Sequence, residues 1–129
     1  MSDNKEYVSR ADEFGTIHIS EEVLAAIAAS AALEVEGVTS LAGNLGSDIS
    51  ELLGKKNLTK GVRVKTEEDK VTVELSVLMA YGHTIPEIGR AVQDSVKNAI
   101  ESMSGLDVAA VNVSVGGITF PPKTQPQAQ

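Results

Sequence analysis

The absence of cysteine from this chain of 129 residues excludes disulfide bonds and thiolate metal sites. A formal net charge of −7 opposes attraction to phosphate backbones and anionic lipid headgroups, and the few Tyr and Phe residues give nucleobases almost nothing to stack on. The longest nearly apolar run, residues 23–33, is far shorter than the ~18 residues that a membrane span needs. Together with a polar N-terminus that lacks a signal segment, these features predict a single-domain cytoplasmic protein that binds no nucleic acid and is not inserted directly in a membrane.

The N-terminal region predicts a tail followed by a strand and a helix. Residues 1–13 are polar, charged and without periodicity, which predicts a flexible tail. Residues 16–19 alternate as a short strand, and Ser20 can cap a helix whose first turn carries two glutamates, the charge that the positive end of a helix dipole favours. Gly37 is expected to end this helix. Three-and-four spacing predicts its core face as Val23, Leu24, Ile27, Ala28, Ala31 and Val35.

Residues 38–60 predict a flexible or short-helical insertion. Three glycines interrupt any long element there, and an apolar trio, Ile49, Leu52 and Leu53, indicates a short amphipathic turn. The region also holds a locally basic patch in this acidic chain, formed by Lys55, Lys56 and Lys60.

Two alternating segments predict a β-hairpin. Valines alternate with Arg63 and Lys65 over residues 62–65, and after a charged turn the alternation resumes over residues 71–79. Because alternate residues of a strand share a face, the two basic side chains are expected on the outer face of the sheet together with Glu74.

In the C-terminal half a capped amphipathic helix leads into an alternating strand. Thr84 is followed three residues later by Glu87, which predicts reciprocal capping of the helix start, and Gly105 predicts a left-handed helix end. Beyond it the period changes to two, with valines on one side and Asn112 and Ser114 on the other. The buried face of the helix is predicted as Ile85, Ile88, Val92, Val96, Ala99, Ile100 and Met103.

The predicted element order is β-α-β-β-α-β with the short helical insertion after the first helix. An antiparallel sheet of about four strands, covered on one face by the two main helices, buries every apolar stripe at once. The predicted fold class is therefore α+β, a two-layer sandwich. It is expected to span residues 14–120, and residues 121–129 predict a disordered C-terminal tail.

No catalytic constellation is indicated. Neither His18 nor His83 has a second metal ligand at convincing spacing, and the acidic turn at residues 67–69 is better explained by solvation than by cation binding. The serine-elbow and phosphate-loop patterns are absent as well. The sequence therefore predicts no enzyme, no cofactor and no metal site, and what remains are surfaces. The predicted partner contacts are Lys55, Lys56, Lys60, Arg63, Lys65, Glu74 and Asn112.

Five segments carry a family resemblance: GTIHI at residues 15–19, YGHTIPE at 81–87, VQDSVK at 92–97, IESMSGL at 100–106 and VNVSVGGI at 111–118. In this order and combination, over nearly the whole chain, they resemble the alkaline-shock-protein family, the envelope stress response proteins of Gram-positive bacteria.

The resemblance implies a non-enzymatic protein of envelope homeostasis that acts as an interaction or scaffold module. Some family members are held at the membrane by a separate anchoring protein and self-assemble, which implies a membrane anchor protein and further copies of the chain as partners. The protein would then be cytoplasmic and peripheral to the membrane through its partner. The chain lacks the long charged or Gln-rich extensions of larger members, which argues against filaments.

Two alternatives stay open. Shorter members of the family are associated with the control of fatty-acid synthesis, which implies a regulatory partner of a lipid-synthesis enzyme. A small-ligand-binding domain that uses the lysines and glycines of residues 38–60 is the other alternative.

Overall fold

The computed structural model describes residues 7–12, 14–42 and 61–121, and in this part of the chain it is an α+β sandwich. The elements in chain order are β1 (Tyr7–Asp12), β2 (Gly15–Ser20), α1 (Glu21–Leu33), β3 (Val38–Leu41), β4 (Val62–Glu67), β5 (Lys70–Ala80), α2 (Ile85–Ser104) and β6 (Asp107–Thr119). The predicted α+β sandwich with two main helices and a four-stranded sheet is confirmed.

The central strand of the four-stranded sheet is β5. Strands β3 and β4 pair antiparallel with it along one edge, and β6 pairs with it along the other edge. The β5–β6 pair is parallel and departs in this from the predicted antiparallel sheet, because α2 carries the chain back along one face of the sheet before β6 begins. The predicted hairpin is present as β4 and β5, which are joined at Glu67 and Lys70.

Strands β3 and β4 lie end to end along the same edge of β5. Leu41 lies opposite Val77 and Val62 lies opposite Leu75, which leaves Ser76 opposite a single residue position. Two residues share that position: the N–H of Ala42 donates to the Ser76 carbonyl at 2.7 Å, and the Gly61 carbonyl accepts from the Ser76 N–H at 2.8 Å. The two strands are thus one strand that is interrupted after residue 42 and resumed at residue 61. The predicted insertion, residues 38–60, accordingly begins with a strand, and its residues 43–60 lie outside the described part.

The N-terminal residues differ from the prediction. A flexible tail over residues 1–13 does not hold for β1, which pairs antiparallel with β2 from Tyr7 opposite Ser20 to Asp12 opposite Gly15. Backbone pairing of this kind needs no apolar stripe, which is why hydrophobic periodicity gave no sign of it. The β1–β2 hairpin is a sheet of its own, so the first strand that was predicted, β2, does not join the main sheet.

The core lies between the helices and one face of the sheet. Alternate residues of β5 are buried, and they pack against Leu24 and the alanines of α1 and against one stripe of α2. In α1 the structure corrects the predicted face: Val23 is 49% exposed and Ile27 is half-buried, while Ala25, Ala29 and Ala32 are buried. Alanines lie on every side of this helix, so its apolar pattern does not single out one buried face. Because the helix approaches the sheet closely, the small side chains turn inward. In α2 the central stripe is buried as predicted, but Ile85 and Met103 at its two ends are exposed.

Of the four residues predicted at helix ends, Ser20 and Gly105 act as predicted, whereas Thr84 and Gly37 do not. The hydroxyl of Ser20 accepts from the Val23 N–H at 3.1 Å, Pro86 lies in the first turn of α2, and Gly105 closes α2 with φ 76°. Thr84 is the N-cap residue but its side chain makes no capping hydrogen bond, so the predicted reciprocal cap is not formed. Its carbonyl instead accepts from the N–H groups of Glu87 and Ile88. Helix α1 ends at Leu33, and Gly37 lies in the turn that follows.

Candidate interaction surface

The face of the sheet opposite the helices is open and polar. We call it the open face and define it by seven side chains of the same strand parity: Arg63, Lys65, Thr72, Glu74, Ser76, Asn112 and Ser114. Each of the seven lies directly opposite another of them on the neighbouring strand, so all seven side chains share one face. The valines and the leucine that alternate with them point to the core. The predicted placement of Arg63, Lys65 and Glu74 on one outer face is confirmed.

The strand register brings three of the predicted partner contacts into one row. Arg63 on β4 lies opposite Glu74 on β5, and Glu74 lies opposite Asn112 on β6. The next row joins the strand interruption to Ser76 and then to Ser114. Together these two rows border a concavity of about 670 Å³, lined by Ala42, Gly61, Val62, Arg63, Glu74, Leu75, Ser76, Asn112 and Ser114.

The concavity carries two opposite charges, an exposed Arg63 and a half-buried Glu74. Although Arg63 and Glu74 lie directly opposite each other, the described residues include no ion pair between them. Lys65 lies one row away, opposite Thr72, and does not line the concavity. The predicted contacts Lys55, Lys56 and Lys60 lie outside the described residues. The arrangement offers a cation, an anion, an amide and two hydroxyls for hydrogen bonding to a polar partner.

The outer edges of the sheet are partly covered by side chains from the helices. On β4, the Thr66 N–H and hydroxyl both donate to Glu21 Oε2, at 3.1 and 2.9 Å. On β6, the Val108 N–H donates to Glu101 Oε2 at 3.0 Å, and the Val111 carbonyl accepts from Gln93 Nε2 at 3.0 Å. These contacts occupy backbone groups that an edge strand would otherwise present to another chain.

Sequence reasoning missed these edge contacts. Glu21 lies in the first turn of α1, where the helix dipole accounts for a glutamate, and Glu101 lies outside the predicted buried face of α2. Neither position shows what the carboxylate reaches. Glu101 also accepts from Lys97 Nζ at 2.9 Å. The hydrogen bond from Val108, and then the contact with Lys97, lower the pKa of the Glu101 carboxyl below its ordinary value.

The described residues show no sign of catalysis. His18 and His83 are both exposed, one on β2 and the other in the turn before α2. Within residues 14–42 and 61–121 no group of three His, Asp or Glu side chains is placed to hold a metal ion. The helices that the structure describes are also too short or too polar to cross a bilayer. What the fold presents is a small α+β sandwich with a polar sheet face and partly covered edges.

Comparison with known proteins identifies the family. The model of the alkaline shock protein 23 family, which is described as having a cell envelope-related function, matches residues 9–120, and the chain belongs to this family. This confirms the resemblance stated from the sequence and assigns the chain a function related to the cell envelope.

Relatives of similar length occur in Gram-positive bacteria. The chain is 33% identical over 111 residues to the uncharacterized protein YqhY of Bacillus subtilis (strain 168), covering 86% of this chain and 82% of YqhY. It is 32% identical over 108 residues to the uncharacterized protein YloU of the same organism, covering 82% of this chain and 90% of YloU. It is 38% identical over 105 residues to the uncharacterized protein Spy1535 of Streptococcus pyogenes serotype M6, with 81% and 79% covered.

Solved structures of the MamM CTD are more distant. Its copper form has 12% sequence identity and a TM-score of 0.46, with 78% of this chain and 98% of that chain covered. At this distance the likeness carries no argument about function.

Proposed function

We propose that this protein acts in cell-envelope homeostasis as a non-enzymatic interaction module, which binds a protein partner through the open face and reaches the membrane through that partner. The observation that carries the proposal is the row of Arg63, Glu74 and Asn112 beside a concavity of about 670 Å³. An exposed cation, Arg63, and a half-buried anion, Glu74, that do not pair with each other can each pair with a partner group instead.

The family assignment supports an envelope role, and the open face supports a protein as the ligand. A concavity whose walls carry backbone and side-chain polar groups of both signs matches a polar protein surface better than an apolar metabolite. The two charges would be expected to set which partner binds and how fast, more than how tightly.

The experiment is site-specific photocrosslinking of the full chain in living Gram-positive cells. A photoreactive amino acid replaces Ser114 on the open face, and a matched probe replaces Asn98 on the exposed side of α2. We expect the Ser114 probe, and not the Asn98 probe, to crosslink a membrane protein in growing and alkali-stressed cells. Glu74→Arg should remove that crosslink, whereas Asp94→Arg, the same charge change on α2, should leave it.

The outcomes separate the possible readings. A crosslink from Ser114 to a soluble biosynthetic enzyme would replace the envelope-anchor role by regulation of that enzyme. Equal crosslinking from both probes, or none from the open face, would overturn the proposal that this face is the binding surface.

A further inference from the structure

Strand β6 has one edge without a neighbouring strand. Among the described residues it pairs with β5 alone, so its backbone groups alternate between bonding to β5 and facing away from the sheet. The bonds from Val108 to Glu101 and from Gln93 to Val111 show which residues face away: they are the residues whose side chains point to the core.

The same alternation leaves two successive outward positions uncovered. Val113 and Val115 follow Val111 at spacings of two, and no hydrogen bond among the described residues reaches their outward N–H and C=O groups. The usual protections of an edge strand are also missing here, because β6 carries no charged residue after Asp107 and no proline. The edge formed by β4 differs, since Arg63 and Lys65 alternate along it.

The first half of α2 overhangs this uncovered stretch and forms a cleft with it. The cleft has a volume of about 210 Å³ and is lined by Ile85, Pro86, Gly89, Arg90, Gln93, Val113 and Val115. Its apolar walls are open to solvent, as Ile85 is 42% and Val115 37% exposed. A Cβ atom built on Gly89 meets nothing within 4 Å, so the helix backbone borders an empty space that can take a side chain.

The charge beside the cleft is positive. Arg90 is exposed and makes no ion pair with the described residues, whereas Lys97, two turns further along the same helix, is already paired with Glu101 at 2.9 Å. The N-terminal end of α2 adds positive potential on the same side, which Glu87 in its first turn offsets in part, so Arg90 is the main attraction for an anion. A carboxylate is therefore the group that this end of the cleft would hold.

We propose that β6 is a strand-addition site, where an extended peptide of a protein partner pairs with Val113 and Val115 while its carboxylate binds Arg90. One apolar side chain of the peptide enters the cleft against Gly89 and Ile85. In this mode of recognition main-chain hydrogen bonds give the affinity, and the cleft and Arg90 give specificity for the peptide sequence. The site lies on the edge of the sheet and does not require the open face to be used.

The test begins with a displayed library of random seven-residue peptides that is selected on the full chain. We expect the enriched peptides to be β-prone and to share an Asp or Glu at one position. A synthetic peptide of the consensus should shift the backbone amide signals of residues 113–115, and replacing its acidic residue by the matching amide should weaken binding at least tenfold.

Variants of the chain locate the site. Arg90→Glu should weaken binding of the consensus peptide at least tenfold, and Arg63→Glu, the same change on the open face, should leave it unaltered. Gly89→Leu should fill the cleft and block binding without harming the fold, since its Cβ has free space. Far-UV circular dichroism of each variant establishes that it is folded.

Several outcomes would overturn the inference. These are the absence of any enriched peptide, peptides without an acidic preference, and binding that survives both Arg90→Glu and Gly89→Leu. If the peptide-free chain sediments as a dimer that Gly89→Leu dissociates, the β6 edge joins two copies of the chain and the occupant proposed here is wrong.

Discussion

Two carboxylates from helices reach across to backbone groups at the rims of the sheet. Glu21 accepts two hydrogen bonds from Thr66, and Glu101 accepts one from Val108 and another from Lys97. In both places an anion takes the N–H of an edge strand, so each contact holds a helix in position while covering a group that could pair with another chain. Each of the two carboxylates therefore fixes a helix against the sheet and also keeps an edge strand from pairing with another chain.

The lowered pKa of Glu101 makes part of the stability dependent on pH. A carboxyl whose pKa is lower in the folded state stabilises that state above its unfolded pKa, and this contribution is lost as the pH falls through the folded pKa. We therefore expect Glu101→Gln to reduce the free energy of unfolding at pH 7 and to have a smaller effect near pH 3. Urea unfolding followed by far-UV circular dichroism at both pH values measures the difference.

The control for net charge is Asp94→Asn, which removes a carboxylate from an exposed position of the same helix. If Glu101→Gln destabilises the protein equally at both pH values, its role does not depend on the ionised carboxylate.

At the scale of the elements, two glycines differ in whether the backbone requires a glycine at their position. Gly37 has φ +103°, and a Cβ atom there would run into the side chain of Ile88, whereas Gly89 lies inside α2 with open space around its Cβ position. The first glycine is required by the turn that leads from α1 into β3, and the second weakens a helix that tolerates it.

Alanine substitution at these two positions should have opposite signs. Gly89→Ala is expected to raise the free energy of unfolding by ~0.5–1 kcal/mol, because alanine loses less backbone entropy in a helix. Gly37→Ala is expected to lower it by about 2 kcal/mol or more, through the left-handed backbone and the collision with Ile88. Thermal and urea unfolding of the two variants provide the measurement. A destabilising Gly89→Ala would mean that the space beside α2 is occupied in solution.

For the whole molecule, the interrupted strand predicts where chain can be removed. Because Ala42 and Gly61 share the position opposite Ser76, joining Leu41-Ala42-Val62 by deleting residues 43–61 should give one continuous strand from Val38 to Glu67. Ala42 would then make both hydrogen bonds with Ser76. We expect cooperative urea unfolding and slow hydrogen exchange of the Ser76 amide.

The matched control deletes residues 43–60 and keeps Gly61. This chain has one residue too many opposite Ser76 and should form a bulge, with a loss of ~1 kcal/mol relative to the longer deletion, about the value of one hydrogen bond. An unfolded chain after deletion of residues 43–61 would show that the removed segment is needed for the fold.

Much of this architecture could be predicted from the sequence, because it depends on local periodicity. The alternation of valines predicted the β4–β5 hairpin and the faces of β6, and Ser20 and Gly105 mark helix ends that the structure confirms. Periodicity assigns a residue to a face but does not identify the neighbouring strand. The parallel direction of β6 and the four-residue β3 therefore became evident only from the structure.

The candidate surface shows the same division. The parity of Arg63, Glu74 and Asn112 predicts a common face, and the structure confirms that face. Their alignment in one row depends on the register of the β4–β5 hairpin and of the parallel β5–β6 pair, which the parity of the residues does not give. The cleft at β6 depends on the overhang of α2, which no strand pattern contains.

Because Ala42 and Gly61 both hydrogen-bond to Ser76, the chain between them can change in length without moving the sheet. The two ends of the intervening segment are held together by the sheet, so doubling the length of that segment costs only about 0.6 kcal/mol of closure entropy. A gene for such a domain can gain, lose or exchange the whole intervening segment at this point in one genetic event, and the core is inherited unchanged. The intervening segment and the sheet that holds its ends can thus change at independent rates within one short chain.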